Sequence, residues 1–77
     1  MEVLVRDAWA SAERLAVEVI GYPPPLRDEA LRQMGEAFAE AMQAAGASDA
    51  VAREFGVQME QTIRAFVSDI VAGDGRG

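Results

Sequence analysis

Three consecutive prolines, Pro23-Pro24-Pro25, divide this chain at a point that no continuous helix can cross. Proline has no N–H to donate, and its ring disfavours the α conformation in the residue before it. Gly21 and Tyr22 stand immediately ahead, so the segment reads as a helix stop followed by a stiff, extended connector. Whatever forms before residue 21 ends there, and whatever follows starts afresh at Pro25 or just after it.

On both sides of this break the apolar residues recur with a helical period. In the first segment Leu4, Val5, Ala8, Trp9, Ala12, Leu15, Ala16, Val19 and Ile20 share one face. Arg6, Asp7, Ser11, Glu13, Arg14 and Glu18 take the other, with Arg14 and Glu18 spaced for an i,i+4 ion pair. In the second segment Ala30, Leu31, Met34, Ala37, Phe38, Ala41, Met42 and Ala45 form the apolar face, opposite Asp28, Arg32, Glu36, Glu40 and Gln43. Pro25 suits the first turn of that helix, where Asp28 and Glu29 would face the positive end of the macrodipole. Gly46 is placed to end it and Ser48 or Asp49 to cap the next. The third segment buries Ala52, Phe55, Met59, Ile63, Phe66 and Ile70, flanked by Val51, Thr62 and Val67.

The sequence therefore predicts an all-α fold of three amphipathic helices, over about 3–20, 25–45 and 48–72, in an antiparallel bundle. The turn around Gly46 is short, so the second and third helices form a hairpin. Residues 1–72 make one domain, and Gly73-Asp74-Gly75-Arg76-Gly77 a flexible tail. Trp9, Phe38, Phe55 and Phe66 are the large side chains expected to fill most of the core. Each apolar face spans about 160°, wider than the ~100° of a helix resting on one surface. A core this small supplies only ~3–5 kcal/mol of net stability. The chain has no cysteine and no histidine, so disulfides and the usual zinc, haem and iron–sulfur ligand sets are absent, leaving oligomerisation as the available reinforcement. The expectation is a homodimer with no cofactor.

Candidate chemistry is sparse. Without histidine or cysteine the commonest general base and the strongest nucleophile are missing, and no glycine-rich phosphate loop precedes a helix. Glu36 and Glu40 lie one turn apart, but on the polar face and without the Glu-x-x-His element of a di-metal bundle. Asp69 lies near the apolar margin, within reach of an arginine across the bundle. The chain does not read as an enzyme. Thirteen acids against seven arginines give a net charge of −6, which opposes binding to nucleic acid or anionic membranes and suits a basic protein surface. No run reaches the ~20 apolar residues of a membrane span, and Glu2, Arg6 and Asp7 interrupt any signal segment, so the expected location is the cytoplasm.

Ala50-Val51-Ala52-Arg53-Glu54-Phe55-Gly56-Val57 resembles the first helix and turn of a helix-turn-helix, a small residue standing four places before the turn glycine and an apolar one after it. That resemblance implies a DNA-associated transcriptional regulator using residues 50–66. The sequence departs from the motif at Thr62, where an aliphatic residue belongs, and Met59 and Ile63 would be exposed on the recognition helix. One continuous helix through Gly56, at a cost of ~1 kcal/mol for the glycine, accounts for the same residues. The main expectation is a small acidic interaction module, acting as a regulator, inhibitor, adaptor or accessory subunit toward another protein. Its candidate partner or subunit contacts are Trp9, Ile20, Leu31, Phe38, Met42 and Val67. Leu31, Phe38, Met42 and Ala45 make one seam on the second helix, beside a second stripe of Ala30, Met34, Ala37 and Ala41. The exposed valines Val3, Val17, Val57 and Val71 are weaker candidates.

Overall fold

In the computed structural model, which describes residues 2–74, the triproline is both a hinge and a helix start. Helix α1 spans Glu2–Ile20, α2 Pro24–Ala44 and α3 Asp49–Asp74. Pro23 stays extended, with φ −56° and ψ 142°, while Pro24 and Pro25 occupy the first two helical positions, one residue earlier than expected. Their missing N–H groups cost nothing there, because the first N–H groups of a helix have no intrahelical partner. Starting at Pro24 moves Asp28 and Glu29 out of the first turn, which carries no acid.

The α2–α3 hairpin is closed by a Schellman turn. The Ala47 N–H donates to the Met42 carbonyl and the Gly46 N–H to the Gln43 carbonyl, both at 3.0 Å. Gly46 lies at φ +104°, a conformation that favours a residue without Cβ. Ser48 Oγ then accepts from the Val51 N–H at 3.2 Å, capping α3. The hairpin register is marked by Arg64 beside Asp28, Gly56 beside Gly35 and Asp49 beside Gln43, a run only antiparallel helices give.

The core centres on Met59, Ile63 and Val19, all fully buried, with Ala8, Ala12, Ala16, Leu31, Met42, Ala52 and Phe55 around them. Phe55 is the only buried aromatic; Phe38 and Phe66 are half-buried and Trp9 is more exposed still. Phe55 thus lies in the core with Phe38 and Phe66 packed against it, while aliphatic side chains and alanines fill most of the rest. Ala37, Ala45 and Val51, assigned to apolar faces, are exposed, and the Leu4 side chain lies outside the described residues. Val3, Val17, Val57 and Val71 are exposed as expected. Arg14 and Glu18 are not among the ion pairs of the described residues. Gly73 and Asp74 complete α3, whereas residues 75–77 of the expected tail lie outside the described residues.

α3 shares its longest interface with α2 and a shorter one with α1; α1 touches α2 least. The molecule is accordingly elongated, 44 × 23 × 15 Å, with a radius of gyration of 13.1 Å. A compact chain of this length would have a radius near 11.5 Å. Its accessible surface of 5125 Å² likewise exceeds the roughly 4,600 Å² expected from its mass. The long dimension follows α3, whose 26 residues rise about 39 Å, and all three pairs of helices are in contact.

Candidate docking surfaces

The close crossing of α2 and α3 organises the sites on both sides of it. A Cβ added to Gly56 would lie 2.5 Å from the Gly35 carbonyl oxygen and 3.0 Å from Ala39 Cβ; one added to Gly35 would lie 2.9 Å from the Gly56 carbonyl oxygen. The two backbones are in direct contact, each glycine presenting its Cα hydrogens to the other's carbonyl. Hydrophobic periodicity passes over such a pair because glycine carries no apolar side chain. The readable signal was spacing: Gly35 and Ala39, like Ala52 and Gly56, put two small residues one helical turn apart.

Beside this crossing runs an open groove lined by Arg32, Glu36, Glu40, Arg53, Val57 and Glu60 among others. Glu36 and Glu40 face this groove and solvent. Among the described residues no three His, Cys, Asp or Glu side chains converge as a metal site would require. At the far end of the crossing Arg64 bridges the helices. Its Nη2 lies 2.7 Å from Asp28 and 3.0 Å from Glu60. Hydrogen bonding to Asp28, the largest cause, raises the Arg64 pKa above its ordinary value; burial, next in size, opposes it, and the hydrogen bond to Glu60 and the charges of both acids add to the rise. Asp28, displaced from the helix terminus, thus serves as a tertiary ion-pair partner.

A second cleft opens along α1 and α3. Trp9 forms one wall, and Gln58, Thr62, Ala65, Phe66 and Asp69 line the rest. The Trp9 ring meets Phe55 edge-on, with centroids 6.2 Å apart, and Phe38 meets the same Phe55 edge-on at 6.0 Å. Phe55 is thereby clamped between α1 and α2, and Trp9 is held in place while 39% exposed. Asp69 stands exposed at the cleft's rim and is not among the ion pairs of the described residues.

The six sequence-derived contact candidates separate into three kinds. Leu31 and Met42 are buried in the chain's own core, 3% and 4% exposed, and do not reach the surface. Phe38, Ile20 and Val67 are half-buried. Trp9 alone combines a large exposed apolar surface with an adjoining cleft. Leu26 and Tyr22, neither of them a sequence-derived candidate, are also large, apolar and exposed. Near Gly56 the backbone is helical without a break from Asp49 to Asp74, so the turn of a helix-turn-helix is not formed at that glycine. No helix among the described residues is long and apolar enough to cross a membrane. No protein-family model, curated protein or solved structure matches the chain.

Proposed function

We propose that the chain is a small acidic interaction module of the cytoplasm. In this reading it acts without a cofactor and without catalysis, as a regulator, inhibitor, adaptor or accessory subunit that docks onto another protein. It works as a homodimer, because a core this small supplies little stability by itself and the chain has no cysteine or histidine to reinforce it.

The observation that carries the reading is Trp9. A tryptophan fixed by an edge-on contact, half-exposed and set beside a cleft with a partly apolar wall and a polar rim, has the anatomy of an interface hot spot. Its ring is pre-positioned, so little side-chain entropy is lost on binding. A net charge of −6 favours partners with basic surfaces by steering encounter and by repelling nucleic acid and anionic lipid.

The test is recovery of a partner with wild type and with Trp9→Ala. Loss of a hot spot costs at least about 2 kcal/mol of binding, a factor of about 30 or more. Trp9 is the only tryptophan, so its emission also reports docking directly. A Trp9→Ala protein that stays helical and binds the same partner with unchanged affinity would remove this edge from the account.

A further inference from the structure

Helix α1 is joined to the rest of the molecule by less than α2 and α3 share with each other. Its buried side chains are Ala8, Ala12, Ala16 and Val19, which remove little apolar area from water, with Val5 and Leu15 packed only partly against the core. The α2–α3 hairpin instead buries Leu31, Met42, Phe55, Met59 and Ile63 and contains the Gly35–Gly56 crossing. It also has polar ties, from Arg64 to Asp28 at 2.7 Å and from Gln43 to Asp49 at 3.1 Å. Among the described residues no side-chain hydrogen bond or ion pair joins α1 to α3.

One arginine supplies the polar tie that α1 does have. The last turn of α1 carries no basic residue to meet the negative end of its own dipole. Arg27, near the start of α2 and half-buried, takes that place. Its Nη2 donates to the Ile20 carbonyl oxygen and its Nε to the Tyr22 carbonyl oxygen, at 3.0 Å each. These are carbonyls that a helix end leaves without intrahelical partners, and the planar guanidinium holds both at once. The connector beneath it, Gly21-Tyr22-Pro23, is exposed along its length. Pro23 has its φ fixed and Tyr22, ahead of a proline, is confined to extended backbone, so bending is concentrated at Gly21.

We infer that α1 opens from the α2–α3 hairpin as a unit about this connector, and that Arg27 is the latch that sets how often it does so. The helix carries its own backbone hydrogen bonds with it, so opening breaks the alanine-lined contact, the Trp9–Phe55 edge contact and the Arg27 bridge, while the hairpin keeps its own core. The cleft beside Trp9 has one wall on α1 and the other on α3, so it exists only while α1 is docked. Arg27 thereby governs a surface it does not touch. That consequence rests on the reading of Trp9 as a docking anchor; the latch does not.

Residue-resolved amide hydrogen exchange of the whole chain tests the latch without any partner. In wild type the amides of α1 exchange as a group, at least about tenfold faster than those of Met59 and Ile63 in α3. Both Arg27 bonds have a charged donor but are partly exposed, so Arg27→Met accelerates α1 by about a further tenfold and leaves Met59 and Ile63 unchanged. Arg27→Lys recovers part of the protection, because an ammonium lacks the fork that holds both carbonyls. Arg14→Met, which removes an α1 arginine outside the ion pairs of the described residues, changes neither helix. If α1 and α3 exchange at one common rate in wild type, α1 does not open by itself and the inference is overturned. It is overturned equally if Arg27→Met leaves α1 unchanged or accelerates α3 as much as α1. Neither result touches the docking role of Trp9, which stands or falls on Trp9→Ala.

Discussion

Replacing Gly56 by alanine inserts a methyl group where α2 and α3 are already in backbone contact. The added Cβ would sit 2.5 Å from the Gly35 carbonyl oxygen, about 0.9 Å inside the 3.4 Å at which ordinary contact begins. The obstructing atom belongs to the backbone of another helix, so no side chain can rotate away. The helices must separate, loosening the packing of Met59, Ile63 and Leu31 along the same interface. Overpacking of this kind costs about 1–3 kcal/mol. Alanine returns ~1 kcal/mol of helix propensity. The expected net effect is a loss of up to about 2 kcal/mol, a fall of up to about 15 °C in Tm for a domain of this size. The assay is urea and thermal unfolding by far-UV circular dichroism, with Gly73→Ala as the control, since nothing lies within 4 Å of its added Cβ. An exposed glycine in mid-helix would behave oppositely. If Gly56→Ala stabilises the protein by about 1 kcal/mol, the close crossing is refuted.

Met59→Ala removes a fully buried side chain and should cost about 2–5 kcal/mol, a large share of the total stability, so that a chemical-denaturation midpoint near zero denaturant is the expected result. Gly46→Ala forces a Cβ onto a residue at φ +104° and should lower stability by about 1–2 kcal/mol although there is open space around it; an unchanged unfolding midpoint contradicts the Schellman turn. Arg64→Gln removes a bridge whose Asp28 side chain is 70% exposed, so the loss stays below about 1 kcal/mol and shrinks further at ~1 M salt. The Arg64 pKa is raised in the folded state, so on the alkaline side of neutrality the bridge keeps its full contribution below the unfolded arginine pKa and loses it as pH climbs through the folded value. The difference between wild type and Arg64→Gln should hold from neutrality to about pH 10, and a decline within that window would contradict the pairing.

The elements legible in the sequence were those set by local chemistry. Gly46 and Ser48 mark the hairpin turn because each satisfies backbone groups within a few residues of itself, and both were found there. The proline block fixed the α1–α2 break in the same way. Tertiary register was not legible. Asp28 looked like a helix-terminus acid, and only the antiparallel alignment of α2 with α3 brings it to Arg64. The same alignment turned Gly56 from a costly residue inside one helix into its point of close contact with Gly35 of the other. Leu31 and Met42 were read as surface candidates because wide apolar faces do not say which side a neighbouring helix will cover. Trp9 was read both as core filler and as a contact candidate, and it stands at the edge of a cleft in the fold, where the number of its neighbours could not be read from periodicity.

The central claim is that folding and association through the open surface of this bundle are linked, and the most direct measurement is the thermal midpoint against protein concentration. Mass action requires a folded dimer to gain stability as concentration rises past its dissociation constant. The account predicts a midpoint that climbs by several degrees from about 1 μM to 1 mM, in parallel with the sedimentation mass. A midpoint that is flat across that range, with a monomer mass throughout, contradicts it.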